Sequence, residues 1–167
     1  MERALSQNQK TNATSENKDA LKEKGDMSKP KRQESPDPSA KAETLKSVAL
    51  RFVEVINAGD SEALIKLQTE DFTLIDMEGD VFRGRDGWEG YFSAYPKYRI
   101  HVQHVLTGGN GVAIIGKTTG SHVPPEVEEK EMVLWTAEIR NDLVAEWRIY
   151  SDIEEKKKKT KQSHQSR

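Results

Sequence analysis

The chain has 167 residues, 34% of them hydrophobic and 32% charged, with a formal net charge of −2 and a mean hydropathy of −0.82. It has no cysteine, which excludes a disulfide framework, a zinc–thiolate or iron–sulfur site and a thiol nucleophile. No stretch approaches the roughly 18 apolar residues of a membrane span, and the first residues form no apolar signal region, so the sequence reads as soluble and cytoplasmic. Residues 1–40 carry 8 basic and 7 acidic side chains and no aromatic or β-branched aliphatic one. Such a segment cannot bury enough apolar surface to offset its ordering entropy, which predicts a disordered tail. Residues 153–167, with a net charge of +4 centred on Lys156–Lys159, read as a polybasic, solvated tail. All the aromatic residues fall between Phe52 and Tyr150, so residues 41–152 are the predicted folded domain. Their net charge of −7 argues against a nucleic-acid partner.

Within the domain, Leu45, Val48, Ala49, Phe52, Val53, Val55 and Ile56 recur at helical spacing over 42–58, and Gly59 stands where a left-handed C-cap is wanted. Asp60 then caps a short second helix through Leu64, Ile65 and Leu67. Phe72–Asp76 alternates like a strand and turns through Met77–Asp80 into a short return, Val81–Arg83. A third helix begins near Asp86, with Trp88, Tyr91, Phe92 and Tyr95 on one stripe, and stops at Pro96. Four strands follow at 98–107, 112–122, 131–140 and 143–150, joined by the Gly108–Gly111 turn, a longer loop through Pro124–Pro125 and the tight turn Asn141–Asp142. The Gly108–Gly111 cluster leads into a strand, not a helix N-terminus, and so reads as a hairpin turn and not a phosphate loop. Helices first and a meander after them predict an α+β domain, its helices on one face of an antiparallel sheet. Apolar residues at both strand parities, such as Val133 beside Leu134 and Val144 beside Ile149, ask for cover on the second face and predict a homodimer.

Several runs in this pattern carry a family likeness. Arg51–Asp60 (RFVEVINAGD), Asp71–Asp76 (DFTLID) and Phe82–Gly87 (FRGRDG) together resemble the nuclear transport factor 2-like superfamily. Thr119–Pro125, and Glu146–Trp147 with Asp152 behind them, are most similar to its SnoaL-like polyketide cyclase branch, which is related to the ketosteroid isomerases. The resemblance covers residues 42–152. It implies a cone-shaped fold in which three N-terminal helices are cupped by a strongly curved sheet, with a pocket between them and an outer sheet face used for dimerisation. Relatives of this kind include isomerases, cyclases, epoxide hydrolases and dehydratases as well as members without activity, so function rests on the site.

Asp76 shares strand parity with Phe72 and Leu74, which points its carboxylate into the predicted cone as a general acid or base; by the resemblance it stands where ketosteroid isomerases keep their proton-shuttling aspartate. Its alternative role is to cap the Met77–Asp80 turn. Phe52 occupies the position of those isomerases' donor tyrosine and has no hydroxyl, and Trp135 stands near the position of their protonated acid, so that oxyanion hole is missing. The resemblance implies an acid at Asp152, as in polyketide cyclases. Strict alternation groups Asp152 with Val144, Glu146, Arg148 and Tyr150, opposite Trp147, so it is either catalytic or a solvent-facing strand end. His122 shares parity with Val112 and Ile114 and is a candidate proton relay or a residue satisfied by a loop carbonyl. Trp88, Tyr91, Tyr95, Trp135 and Trp147 are core first and pocket wall second, and with Phe52 they make up the candidate substrate contacts. His101 and His104, three apart in a strand, are expected on opposite faces, which argues against a metal pair. No metal, nucleotide or flavin motif is present, so no cofactor is expected. Two functions remain: a cofactor-independent cyclase or isomerase acting on a hydrophobic small molecule by proton transfer, or a non-catalytic binding or dimeric interaction module.

Overall fold

The computed structural model describes residues 37–151. Helix α1 (Pro38–Ala58) starts four residues earlier than the apolar stripe indicates. Asp37 accepts a hydrogen bond from the Ser39 amide, and Pro38 fills the first helical position, where its missing N–H costs nothing. Residues 37–40 are therefore part of the folded helix and not of a tail; residues 1–36 and 152–167 lie outside the described residues. Gly59, at φ 67°, ends the helix in the left-handed region. The carboxylate of Asp60 caps α2 (Ser61–Lys66) by accepting from the Ala63 amide.

Strand β1 (Gln68–Ile75) is longer than its alternation predicts, and β2 (Val81–Arg83) returns beside it. After α3 (Gly87–Ala94) come β3 (Arg99–Gly108) and β4 (Gly111–Thr119). A single-turn helix, α4 (Pro125–Glu128), occupies the longer loop through Pro124–Pro125, and β5 (Val133–Arg140) and β6 (Leu143–Ser151) complete the described residues. Asn141 and Asp142, at φ 51° and 60°, form the tight turn between the last two strands.

The six strands make one sheet in the order β2-β1-β6-β5-β4-β3. It is mixed and not wholly antiparallel, because β1 pairs parallel with β6. A meander in the sequence reveals which neighbouring strands form hairpins, but this closure joins segments about 75 residues apart and leaves no local signal.

Two irregularities also revise strict alternation. The register of β3 on β4 shifts between Val102 and His104, so that His101 faces Lys117 and His104 faces Ile115. Both histidines consequently lie on the same sheet face, against expectation; a bulge inserts one residue and restores the parity. Gly116 opposite this bulge is required by space, since a Cβ there would run into the His101 backbone. On β6 the register shifts at Ala145, so Val144 pairs with Ile139 while Glu146 pairs with Glu138. Val144 is therefore fully buried on the same side as Trp147 and belongs to the core and not to an outer apolar face.

The core lies between α1 and the inner sheet face, with Phe52, Phe72, Trp135 and Trp147 inaccessible to solvent or nearly so. Phe52 is its centre, with ring centroids 5.0 Å from Trp147, 6.2 Å from Phe72 and 6.3 Å from Trp88. Each such side chain stabilises the fold by about 1.5–3 kcal/mol through burial alone. Orientation comes from a polar contact at the helix end: Asn57 donates to the Ile100 carbonyl at 2.9 Å and accepts from the Ile100 amide at 2.7 Å. Replacing Asn57 with Ala is expected to lower the unfolding free energy by about 1–3 kcal/mol, two net hydrogen bonds, as read from urea denaturation.

Candidate functional site

The β1–β2 hairpin, α3, Tyr98 and the inner face of β4–β6 enclose a cavity of about 870 Å³. Its walls are mainly aromatic and aliphatic. Phe72 and Leu74 enter from β1, Val81 and Phe82 from β2, Trp88 and Tyr91 from α3, Tyr95 from the α3 C-cap, and Val133, Trp135 and Ile149 from the last two strands. Val81 and Phe82 are about half exposed at its mouth. The polar lining includes Asp76, Tyr98, Thr118, His122 and Glu131.

Asp76 both lines the cavity and caps its own turn. Alternation along β1 carries Phe72 and Leu74 to the cavity, and Asp76, just past the strand's end, lines it as well. Its Oδ1 also accepts from the amides of Glu78 at 3.0 Å and Asp80 at 2.8 Å, capping the hairpin. The turn thus holds the carboxylate in one orientation at the cavity wall.

His122 lies beyond the end of β4 and not within it, so strand parity does not orient it. A loop hydrogen-bonded to Glu128 does so instead. One carboxylate oxygen of Glu128 accepts from the Gly120 amide at 3.0 Å and the other from the Ser121 amide at 3.1 Å. Burial alone would push the Glu128 carboxyl up, but its bonds from Ser121, Thr118 and Gly120 outweigh this and leave it below its ordinary value. His122 Nδ1 shares a hydrogen bond with Tyr91 Oη at 3.3 Å, and its ring packs edge-on against Tyr91 and Tyr95. Burial pushes the Tyr91 phenol up to about 12, so it stays protonated across the physiological range.

Of the expected substrate contacts, Trp88, Tyr91, Tyr95 and Trp135 line the cavity. Phe52 and Trp147 do not: both are fully buried and packed on each other beneath it. Asp152 lies outside the described residues. The sequence reading passed over Tyr98 and Glu131. Both share parity with apolar inner-face residues, Tyr98 with Ile100 and Glu131 with Val133 and Trp135, and each is at most 6% exposed. Glu131 accepts a hydrogen bond from the Ser151 hydroxyl. Among the described residues no group of three or more His, Asp or Glu side chains is arranged to hold a metal ion, and no helix is long and apolar enough to cross a membrane.

The chain is thus an α+β domain in which a curved sheet and helices wall a cavity with acids and phenols on an apolar lining, and sequence comparison narrows the class. Residues 49–150 match the SnoaL-like domain, and the chain belongs to that family. No curated protein matches the chain. Among solved structures it is similar to a SnoaL-like polyketide cyclase, so described, from Jannaschia sp. CCS1, at 18% identity and a TM-score of 0.58 over 71% of this chain and 92% of that one. It is also similar to a protein described as a ketosteroid isomerase from Kribbella flavida, at 18% identity and a TM-score of 0.54 over 66% and 78%. A third, an NTF2-like protein of unknown function from Cytophaga hutchinsonii, has 15% identity and a TM-score of 0.53 over 64% and 88%. At these identities the likeness establishes the NTF2-like α+β fold with its curved mixed sheet.

The Glu128 clamp has a pH signature. A carboxyl held below its ordinary value of 4.5 contributes stability above that value and loses it as pH falls through the folded-state value. Glu128→Gln is therefore expected to be less stable than the parent at pH 7, with the difference shrinking below about pH 4.5, as read from unfolding midpoints across pH.

Proposed function

We propose that the cavity binds a hydrophobic small molecule and that Asp76 moves a proton on it, without a metal or organic cofactor. The observation that carries this reading is an 870 Å³ aromatic cavity lined by an oriented carboxylate. A carboxylate at an apolar wall can take a proton from carbon beside a carbonyl, and a phenol or imidazole can hold the oxygen where charge develops. Tyr91, fixed by His122, is such a group. The finer assignment to a cyclase or isomerase reaction rests on these residues and on the family likeness together. The reading is checked by following deuterium exchange at the α-carbon of a cyclic ketone by NMR. Asn at position 76 keeps an acceptor oxygen for the Glu78 and Asp80 amides, so Asp76→Asn is expected to fold normally and to slow the exchange by about a hundredfold or more. No acceleration by the parent protein would leave the second reading, a non-catalytic binding module, which is favoured by the service of Asp76 to its own turn.

The protein is also proposed to dimerise through the outer sheet face. Cross-strand partners His104, Ile115, Leu134 and Tyr150 form one row across β3, β4, β5 and β6, and Leu106 beside it is 61% exposed. A second copy is the occupant proposed for that row. Sedimentation is expected to give twice the chain mass, and Leu134→Glu the monomer; a monomeric parent at high micromolar concentration overturns the proposal.

A further inference from the structure

Three buried indole nitrogens, those of Trp88, Trp135 and Trp147, have no hydrogen-bond partner. Trp147 lies outside the cavity lining, and Trp88 is stacked on Phe92 with centroids 5.5 Å apart. Trp135 differs from both. It is wholly buried among the residues that line the cavity, and its indole N–H approaches the Tyr98 phenol without meeting hydrogen-bond geometry. Tyr98 lines the same cavity, 6% exposed and held edge-on against Tyr91 at 5.1 Å.

We propose that the Tyr98 hydroxyl and the Trp135 indole N–H form a polar subsite that binds one acceptor oxygen of a neutral ligand, a ketone or similar carbonyl. This deepens the reading of the cavity as a hydrophobic binding site and rests on it. An indole nitrogen can only donate, and a phenol donates readily, so the pair calls for an acceptor. A buried donor left without one is costly, and an occupant's oxygen removes that cost. Burial pushes the Tyr98 phenol well up, so it keeps its proton. Asp76 and Glu131 line the same cavity, which disfavours an anionic ligand such as a carboxylate and selects a neutral carbonyl. The pair stands on β5 and immediately before β3, and meets the Tyr91–His122 contact of α3 through the edge of the Tyr91 ring. It supplies donors that Phe52 lacks.

The test uses the full chain and two probes of nearly equal shape, 2-acetylnaphthalene and the hydrocarbon 2-ethylnaphthalene. The ketone is expected to bind about tenfold more tightly than the hydrocarbon, the worth of one to two net hydrogen bonds. One indole N–H resonance is expected to move downfield with the ketone alone. Tyr98→Phe removes only the hydroxyl; it is expected to cut the ketone's advantage by about fivefold and to leave the hydrocarbon's affinity unchanged. Equal affinity of the parent for both probes, or an advantage that is undiminished in Tyr98→Phe, overturns the subsite and leaves the hydrophobic cavity standing. Failure of both probes to bind overturns the cavity reading and the subsite with it.

Discussion

The pairing of one side-chain amide with one backbone residue organises this domain. β3 is an edge strand, and at Ile100 its outward N–H and C=O have no neighbouring strand. Asn57, at the last turn of α1, meets both and acts as a one-residue substitute for the absent strand. The geometry admits little else: Asp would place an acceptor against the carbonyl, and a longer amide would displace the helix. With this contact α1 sits at a fixed height on the sheet, Phe52 reaches Trp147 and Phe72, and Tyr98, two residues before Ile100, is set at the cavity wall.

The cavity stays open because the large rings are divided between two layers. Phe52 and Trp147 fill the space against α1, while Trp88, Tyr91, Tyr95 and Trp135 stand as walls. Polar groups reach these walls by separate routes: Asp76 through a hairpin turn, His122 through a loop tied to Glu128, Tyr98 at the entry to an edge strand. Asp76 is thus supported apart from the other two, while His122 and Tyr98 meet through the Tyr91 ring.

Much of this was legible in the amino-acid sequence, and the losses have physical causes. The stripe from Leu45 to Ile56, the Gly59 cap, the Asp60 cap and the β1–β2 hairpin are local features, and the structure has each of them. The family likeness carried by the Asn57–Asp60 run and the Phe82–Gly87 segment is matched by the SnoaL-like domain over 49–150. Parity arguments held for Phe72 and Leu74, where β1 alternates into the cavity. They failed at His101 and His104 and at Val144, because a bulge adds a residue without altering the pattern of residue types. The β1–β6 pairing is non-local and has no sequence signature. Tyr98 and Glu131 escaped notice because each stands at the start of a strand, where the alternation that marks an inner-face residue has barely begun.

The two edges of the sheet have a consequence for how the chain survives at high concentration. An open six-stranded sheet offers two rows of unpaired backbone groups to any neighbouring chain, a common origin of aggregation. Here one edge strand, β2, is only three residues long, too short to template more than a bond or two. The other, β3, is bent by a bulge at Gln103 and has its Ile100 amide and carbonyl already taken by Asn57. Strand-by-strand polymerisation is blocked at both ends, and contact between copies is left to side chains on the broad face of the sheet.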